Sequence, residues 1–201
     1  MYRACGKRVF DVILAALLLA AAAPLIAVVA LLVRTRLGAP VLFRQTRAGR
    51  GGAPFILLKF RSMREGPGED GARLTPFGRA LRATGLDELP QLLNVLRGEM
   101  SMVGPRPLLP EYARHYTPRQ ATRLAVRPGL CGLAQAQGRN AVPWASRLEW
   151  DAQYVERVSF AGDLRILGRC AAVLLSGKGV NAPGHATMAR LDATAATKAD
   201  P

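Results

Sequence analysis

The sequence predicts an α+β protein that is mostly helical and is held at a membrane by its N-terminal segment. An apolar run without any charged side chain covers residues 12–33. Two strand-like segments, at 41–49 and 54–63, are followed by short helical patterns. A chain of 201 residues suffices for one domain with its own core. We therefore expect a membrane helix at 1–37, a compact cytosolic domain at 38–180 and a disordered tail at 181–201.

The apolar run can form a transmembrane helix or a re-entrant helix, which returns to the face it entered. Its length matches the roughly 20 residues that cross a bilayer and exceeds the apolar core of a signal peptide. Pro24 lies near its middle, where it removes a backbone hydrogen bond and bends the helix. Positive charge marks the cytoplasmic side, and both flanks are basic, with Arg3, Lys7 and Arg8 before the run and Arg34, Arg36, Arg44, Arg47 and Arg50 after it. These features favour a re-entrant helix that breaks near Pro24, with a simple crossing as the alternative.

Charge and cysteine content narrow the class of protein. A formal net charge of +14 predicts polyanionic partners, which are nucleic acid, anionic lipid headgroups or phosphorylated substrates. The three cysteines are widely spaced and lack a CxxC pattern, so neither a disulfide framework nor a zinc site is indicated. Two histidines are too few for a histidine-based metal site.

The two strand-like segments predict a β-hairpin, because the Gly-rich stretch at 50–53 joins them. The hairpin brings together a compact polar group of Gln45, Arg47, Lys59 and Arg61. An exposed strand face would show the same alternation, so a solvated surface is the alternative. A Gly-rich, charged loop at 64–73 follows, and Thr75 and Pro76 then form the N-cap and the first position of a helix that carries Arg82.

The stretch at 84–107 carries the strongest chemical signal. Asp87 and Glu88 are adjacent carboxylates before a short apolar helix, and Pro90 is tolerated in the first helical turn. Further on, Arg106 lies between two prolines, which fix the backbone and aim a permanently charged guanidinium that suits a phosphate. A capped helix with an acidic first turn is the purely structural alternative.

The C-terminal half predicts further helices and a polar loop. Residues 108–130 are amphipathic, which suits a helix in the membrane interface or one packed on the core. The loop at 129–140 presents Gln135, Arg139 and Asn140, whose side chains can bind a nucleotide base and its phosphates. A last apolar helix runs near 163–175, and we interpret Asp163 as its N-cap, with a functional role for this carboxylate as the alternative.

These segments together resemble a known family. The run LDELPQLLNVLRGEMSMVGPRP at 86–107 is similar to the signature of the bacterial sugar transferases, the small monotopic phosphoglycosyl transferases. The resemblance extends over roughly residues 5–180 and includes the segments 7–11, 43–49, 59–63, 127–130 and 135–140. One departure is Ala23, since many members have a serine before the proline of the membrane helix.

The resemblance implies a re-entrant helix at the cytoplasmic face of the bacterial inner membrane. It implies transfer of a sugar 1-phosphate from a UDP-sugar to polyprenyl (undecaprenyl) phosphate, with release of UMP, as the first membrane step of polysaccharide or glycoconjugate assembly. Asp87 would attack the β-phosphorus and carry a covalent phospho-sugar, while Glu88 would position or deprotonate the acceptor. Both would bind Mg²⁺, a cation that prefers oxygen ligands. The remaining candidates for holding phosphates or nucleotide are Lys59, Arg61, Arg106, Arg139, Arg82, Gln135 and Asn140.

A membrane-tethered basic module that binds nucleic acid or anionic lipid without catalysis is the rival interpretation. It explains the charge and the apolar segment but neither the Asp87–Glu88 run nor the proline-bracketed Arg106. Few aromatic residues are placed for base stacking, so we expect no nucleic acid partner. The sequence specifies neither the sugar nor the oligomeric state.

Overall fold

A computed structural model of the chain describes residues 2–68, 70–138, 142–176 and 190–191. The predicted class, mostly helical α+β with one long apolar N-terminal helix and a short hairpin, is confirmed. The helices are α1 (Lys7–Leu37), α2 (Asp70–Arg73), α3 (Pro76–Thr84), α4 (Gln91–Arg97), α5 (Pro118–Ala121), α6 (Leu133–Ala136), α7 (Trp144–Glu156) and α8 (Phe160–Leu175). The strands are β1 (Leu42–Ala48), β2 (Pro54–Phe60), β3 (Ser101–Val103) and β4 (Gly129–Cys131). Most of the predicted tail lies outside the described residues.

Helix α1 is packed on the domain at its two ends and exposed in its middle. Near its start, Arg8 donates to the carbonyl of Val95 at 2.6 Å, and Asp11 accepts from the backbone N–H of Met102. Near its end, Val29 and Val33 are buried. Between these ends apolar side chains face outward, and only 11% of the most apolar window is buried. A core helix of a soluble protein would instead be buried along most of its length.

Helical structure continues through Pro24 from Lys7 to Leu37, so the helix is not interrupted there, and the bend predicted at this residue stays a prediction. A proline removes a single N–H donor, and the hydrogen bonds on either side can hold the helix together. Pro24 is exposed on the apolar middle of α1. By length and composition, α1 is sufficient to cross a membrane.

The hairpin forms as predicted, with β1 and β2 antiparallel and Lys59 opposite Phe43. Its core-facing side chains include Phe55 and Leu57, which pack against Leu92 and Val95 of α4. Asn94 fixes this packing, since its side chain accepts from Leu58 N at 3.1 Å and donates to Ile56 O at 2.8 Å. Helix α4 therefore packs between the hairpin, which Asn94 contacts, and the start of α1, which contacts Val95 through Arg8.

The helix cap predicted at Thr75 is confirmed, because its hydroxyl accepts from Gly78 N at 3.0 Å and Pro76 opens α3. Gly78 lies so close to the hairpin that an added Cβ would be 1.7 Å from the carbonyl oxygen of Ser62. Helix α3 ends at Gly85, whose φ of 70° is readily adopted only by glycine. This turn leads directly into the Asp87–Glu88 segment.

Two predictions in the C-terminal half are wrong. The amphipathic stretch after Pro107 is broken into the 3₁₀ turns Pro110–His115 and Thr122–Ala125 with the one-turn α5 between them. Its Tyr112 packs inward against Trp144, which agrees with the alternative that this stretch packs on the core. The N-cap of α8 is Ser159, whose hydroxyl accepts from Gly162 N.

Asp163 follows one turn later as a buried carboxylate that accepts from Tyr2 OH at 2.6 Å and pairs with Lys7 at 2.8 Å. It therefore attaches the start of α1 to α8. Sequence position one turn from a helix start could not distinguish this contact from a cap.

Candidate active site

Three distant segments meet at the carboxylates. Asp87 and Glu88 lie in a 3₁₀ turn, Leu86–Glu88, between α3 and α4. Lys59 comes from the end of β2, and Arg106 from the loop after β3. The structure therefore joins the predicted acidic pair to two of the predicted phosphate-binding cations.

Glu88 is held by both cations. Its Oε1 accepts from Lys59 Nζ at 2.6 Å and from Arg106 Nη2 at 2.7 Å. Burial opposes ionisation of Glu88, but the charges and hydrogen bonds of Arg106 and Lys59 outweigh it and hold the pKa of Glu88 well below its usual range. Glu88 is consequently an ionised anchor at neutral pH.

Asp87 has the opposite electrostatic setting. Burial raises its pKa, and the adjacent Glu88 charge adds to this effect, while Lys59, Arg82 and Arg106 partly counteract it. Among the residues that the structure describes, none donates a hydrogen bond to the Asp87 carboxylate. The result is a buried carboxylate near several cations, with oxygens that are available to a ligand.

Replacing Asp87 with asparagine is expected to raise the melting temperature at pH 7. The pKa of Asp87 is higher in the folded protein than in the unfolded chain. Such a carboxyl contributes stability at pH values below its unfolded pKa, and this contribution is lost as the pH rises through its folded pKa. The advantage of Asp87→Asn should therefore shrink as pH falls toward about 4, where an unperturbed aspartate becomes protonated. Thermal unfolding of the two proteins between pH 4 and pH 8 checks this, and an equal or lower melting temperature for the variant at pH 7 would contradict it.

Positive charge exceeds negative charge around this pair. Arg47 lies close enough to Arg106 to be affected by its charge, and burial together with this repulsion lowers the pKa of Arg47 to about 10. Its guanidinium donates to Gln45 Oε1 at 2.5 Å and, at 3.4 Å, to the carbonyl of Pro107. With Lys59, Arg82 and Arg106, four cations surround two carboxylates, which favours a bound anion.

The backbone that carries Arg106 is positioned by a buried ion pair that sequence patterns did not reveal. Arg123 donates to the carbonyl of Arg106 at 2.6 Å and pairs with Asp151 at 2.9 Å, and both partners are almost completely buried. Gly104 and Gly129 let the adjoining strands approach, since a Cβ on Gly129 would be 2.0 Å from Gly104 N. Arg123 resembled any other arginine of an amphipathic stretch, so no local signal identified it.

The other predicted site residues lie in different surroundings. Arg61 points to the end of α1, where it donates to the carbonyls of Leu37 and Gly38 and pairs with Glu65 at 3.2 Å. Arg82 donates to Ser62 Oγ at 2.9 Å and contributes its charge to the Asp87 environment.

The predicted nucleotide loop is only partly described. Gln135 donates to Leu130 O at 3.2 Å, while no residue in the described part of the chain donates to its buried Oε1. Arg139 and Asn140 lie outside the described residues. Phosphate or nucleotide binding by Arg61, Gln135, Arg139 and Asn140 stays a prediction.

Comparison with known proteins places this arrangement in a family. A profile of the bacterial sugar transferase family matches residues 2–177. An uncharacterized sugar transferase, EpsL of Bacillus subtilis, is 45% identical over 190 residues, which cover 92% of this chain and 94% of the relative. A UDP-glucose:undecaprenyl-phosphate glucose-1-phosphate transferase of Caulobacter vibrioides is 45% identical over 188 residues, covering 85% of this chain and 70% of the relative. An undecaprenyl-phosphate galactose phosphotransferase of Salmonella typhimurium is 36% identical over 84% of this chain and 40% of its own length. The chain belongs to the bacterial sugar transferase family.

Proposed function

We propose that the protein transfers a sugar 1-phosphate from a UDP-sugar to undecaprenyl phosphate and releases UMP. The observation that carries this proposal is a pair of neighbouring carboxylates inside a positively charged site. Glu88 is anchored by Lys59 and Arg106, whereas Asp87 accepts no hydrogen bond from the described residues. The names of the Caulobacter and Salmonella relatives describe this class of reaction. Relatives named exopolysaccharide production proteins support a role in polysaccharide assembly.

In the first half-reaction, an Asp87 oxygen attacks the phosphorus that bears the sugar. The bond from this phosphorus to the bridging oxygen breaks, and UMP leaves with the bonding electron pair. Lys59 and Arg106 reduce the negative charge that an anionic nucleophile meets at phosphorus, because they are fixed beside the carboxylates before substrate arrives. The product is a phospho-sugar ester on Asp87.

In the second half-reaction, an oxygen of undecaprenyl phosphate attacks the same phosphorus. The bond to Asp87 breaks and the carboxylate is restored, so the lipid leaves as a diphosphate-linked sugar. Glu88 is a weak base in this setting, because Arg106 and Lys59 hold its pKa low. We assign it the positioning of the two cations and of the acceptor phosphate.

A Mg²⁺ ion fits the oxygens that these contacts leave. In the described part of the chain, the Asp87 carboxylate and Glu88 Oε2 receive no hydrogen bond. The described residues form no cluster of three or more potential ligand side chains, but Mg²⁺ commonly uses one or two carboxylates together with substrate phosphates and water. Asp87 and Glu88 would hold the ion, which would supply further charge neutralisation on the diphosphate.

A re-entrant α1 is the membrane arrangement that the packing supports. The two ends of α1 contact a single domain, through Arg8 and Asp11 at one end and through Val33 and Leu37 at the other. A straight helix of 31 residues is about 46 Å long and would carry its ends to opposite faces of a bilayer. Re-entry therefore requires α1 to bend. The exposed apolar middle of α1 would enter the inner membrane from its cytoplasmic face.

This arrangement predicts that Met1 and the loop after β1 are accessible from the cytoplasm only. Single cysteines introduced at residue 3 and at residue 51, in a background where Cys5, Cys131 and Cys170 are replaced, should both resist an impermeant thiol reagent in intact cells. Both should react in inverted membrane vesicles. Labelling of residue 3 alone in intact cells would establish a full crossing.

Pro24→Ala should shift α1 toward a full crossing in the same labelling experiment, because a uniform apolar helix of this length spans a bilayer.

The activity is tested by incubating the purified protein with UDP-sugars labelled in the sugar, together with Mg²⁺ and undecaprenyl phosphate. Release of UMP with label in the lipid fraction is expected for one or a few sugars of the panel. A basic membrane module without catalysis would bind anions yet yield neither product.

A further inference from the structure

A groove of about 430 Å³ lies between α7 and the first half of α8, apart from the Asp87–Glu88 site. Its volume falls in the range of roughly 300–1,000 Å³ that is usual for small-molecule sites. Apolar side chains form part of its wall, and three arginines border it, namely Arg157, Arg165 and Arg169. None of the residues that line it is acidic.

The described residues supply no counter-charge to the three guanidiniums. Within the described residues, none of them takes part in an ion pair or a side-chain hydrogen bond. The nearest carboxylate on α8 belongs to Asp163, which is buried and already engaged by Lys7. By contrast, the exposed Arg119 pairs with Glu149 and Glu156. Three like charges around one groove attract an anion.

The groove opens beside an apolar surface on α8. Phe160 and Leu164 are exposed by 48% and 47%, and Leu175 by 87%. At 100° per residue these three side chains lie within about 60° of one another around the helix axis. Arg165 lies about 80° further round the helix than Leu175. The Phe160 ring meets the Phe10 ring of α1 edge-on at 5.4 Å, so the apolar surface continues onto the membrane helix. An apolar stripe bordered by arginines is typical of a helix that lies in the membrane interface.

We propose that this groove binds the headgroup phosphate of an anionic phospholipid, with the acyl chains along Phe160 and Leu164. Arg165 and Arg169 lie one helical turn apart and can share one phosphate, while Arg157 approaches from the end of α7. A nucleotide is less suited, because its base would need neutral hydrogen-bonding side chains, and the groove offers mainly Gln153 and Ser159. The proposal depends on membrane attachment through α1 and does not depend on the reaction assigned to Asp87.

The test uses the full chain in a neutral detergent and follows thermal unfolding with short-chain lipids. Dihexanoyl phosphatidylglycerol should raise the melting temperature in a saturable manner, while dihexanoyl phosphatidylcholine and inorganic phosphate should not. Arg165→Gln with Arg169→Gln should weaken the apparent affinity about thirtyfold, since each arginine at an anionic surface contributes roughly a fivefold factor. Ala161→Glu places a carboxylate in the groove without deleting an arginine and should have a similar effect.

The matched control is Arg50→Gln with Arg97→Gln, which removes two exposed arginines outside the groove. An equal loss of affinity in this control would reduce the effect to net charge and overturn the proposal. Displacement of phosphatidylglycerol by UDP, or preferential binding of farnesyl phosphate, would make the groove a substrate site and would also overturn it. If the double arginine variant fails to unfold cooperatively, Ala161→Glu alone decides the outcome.

Discussion

Asp87→Asn is expected to abolish both turnover and the covalent enzyme adduct. An amide has no anionic oxygen to attack phosphorus, so the loss should reach at least about a thousandfold, as for other nucleophile replacements. The measurement is intact-protein mass spectrometry after incubation with UDP-sugar and Mg²⁺ but without undecaprenyl phosphate, together with UMP release. Unmodified protein should gain the mass of one phospho-sugar, and Asp87→Asn should gain none.

Glu88→Gln is the matched comparison for this experiment. It keeps the side-chain size but removes the charge that holds Lys59 and Arg106. Some adduct should form, while the second half-reaction slows. An adduct on Asp87→Asn, or one mapped to Glu88 by proteolysis of the unmodified protein, would exchange the two roles. The expected higher melting temperature of Asp87→Asn at pH 7 separates lost chemistry from lost folding.

Arg123→Leu is expected to cause the largest loss of stability among single substitutions around the site. It leaves Asp151 as a buried charge without its cation, a situation that costs about 3–5 kcal/mol. For a chain of this size the melting temperature should fall by roughly 10 °C. Activity should fall as well, because the Arg106 carbonyl loses the donor that fixes its loop. Thermal unfolding and UMP release measure the two effects.

The double variant Arg123→Leu with Asp151→Leu tests the cause of that loss. Replacing both partners removes the stranded charge, so most of the stability should return while the activity stays low. Arg119→Gln is the control on the surface, since it breaks pairs with Glu149 and Glu156 that are exposed to solvent and should barely change the melting temperature. A double variant as unstable as Arg123→Leu would show that packing, and not charge, holds this region.

Local sequence patterns determined the elements whose causes lie within a few neighbouring residues. The apolar run gave α1, the Gly-rich turn between alternating segments gave the β1–β2 hairpin, and Thr75 with Pro76 gave the start of α3. The adjacency of Asp87 and Glu88 and the prolines around Arg106 indicated where the chemistry lies, because charge type and backbone restriction belong to single residues.

Only the tertiary structure decided which of these side chains meet. Lys59 and Arg106 converge on one oxygen of Glu88 from 29 and 18 residues away. Arg61, two residues after Lys59 on the same hairpin, instead reaches the end of α1. Asp163, interpreted as a helix cap, binds Tyr2 across 161 residues. Contacts over such separations depend on how α1, the hairpin and α8 pack, and the free energy that selects this packing comes from burial of side chains that are distant in the sequence.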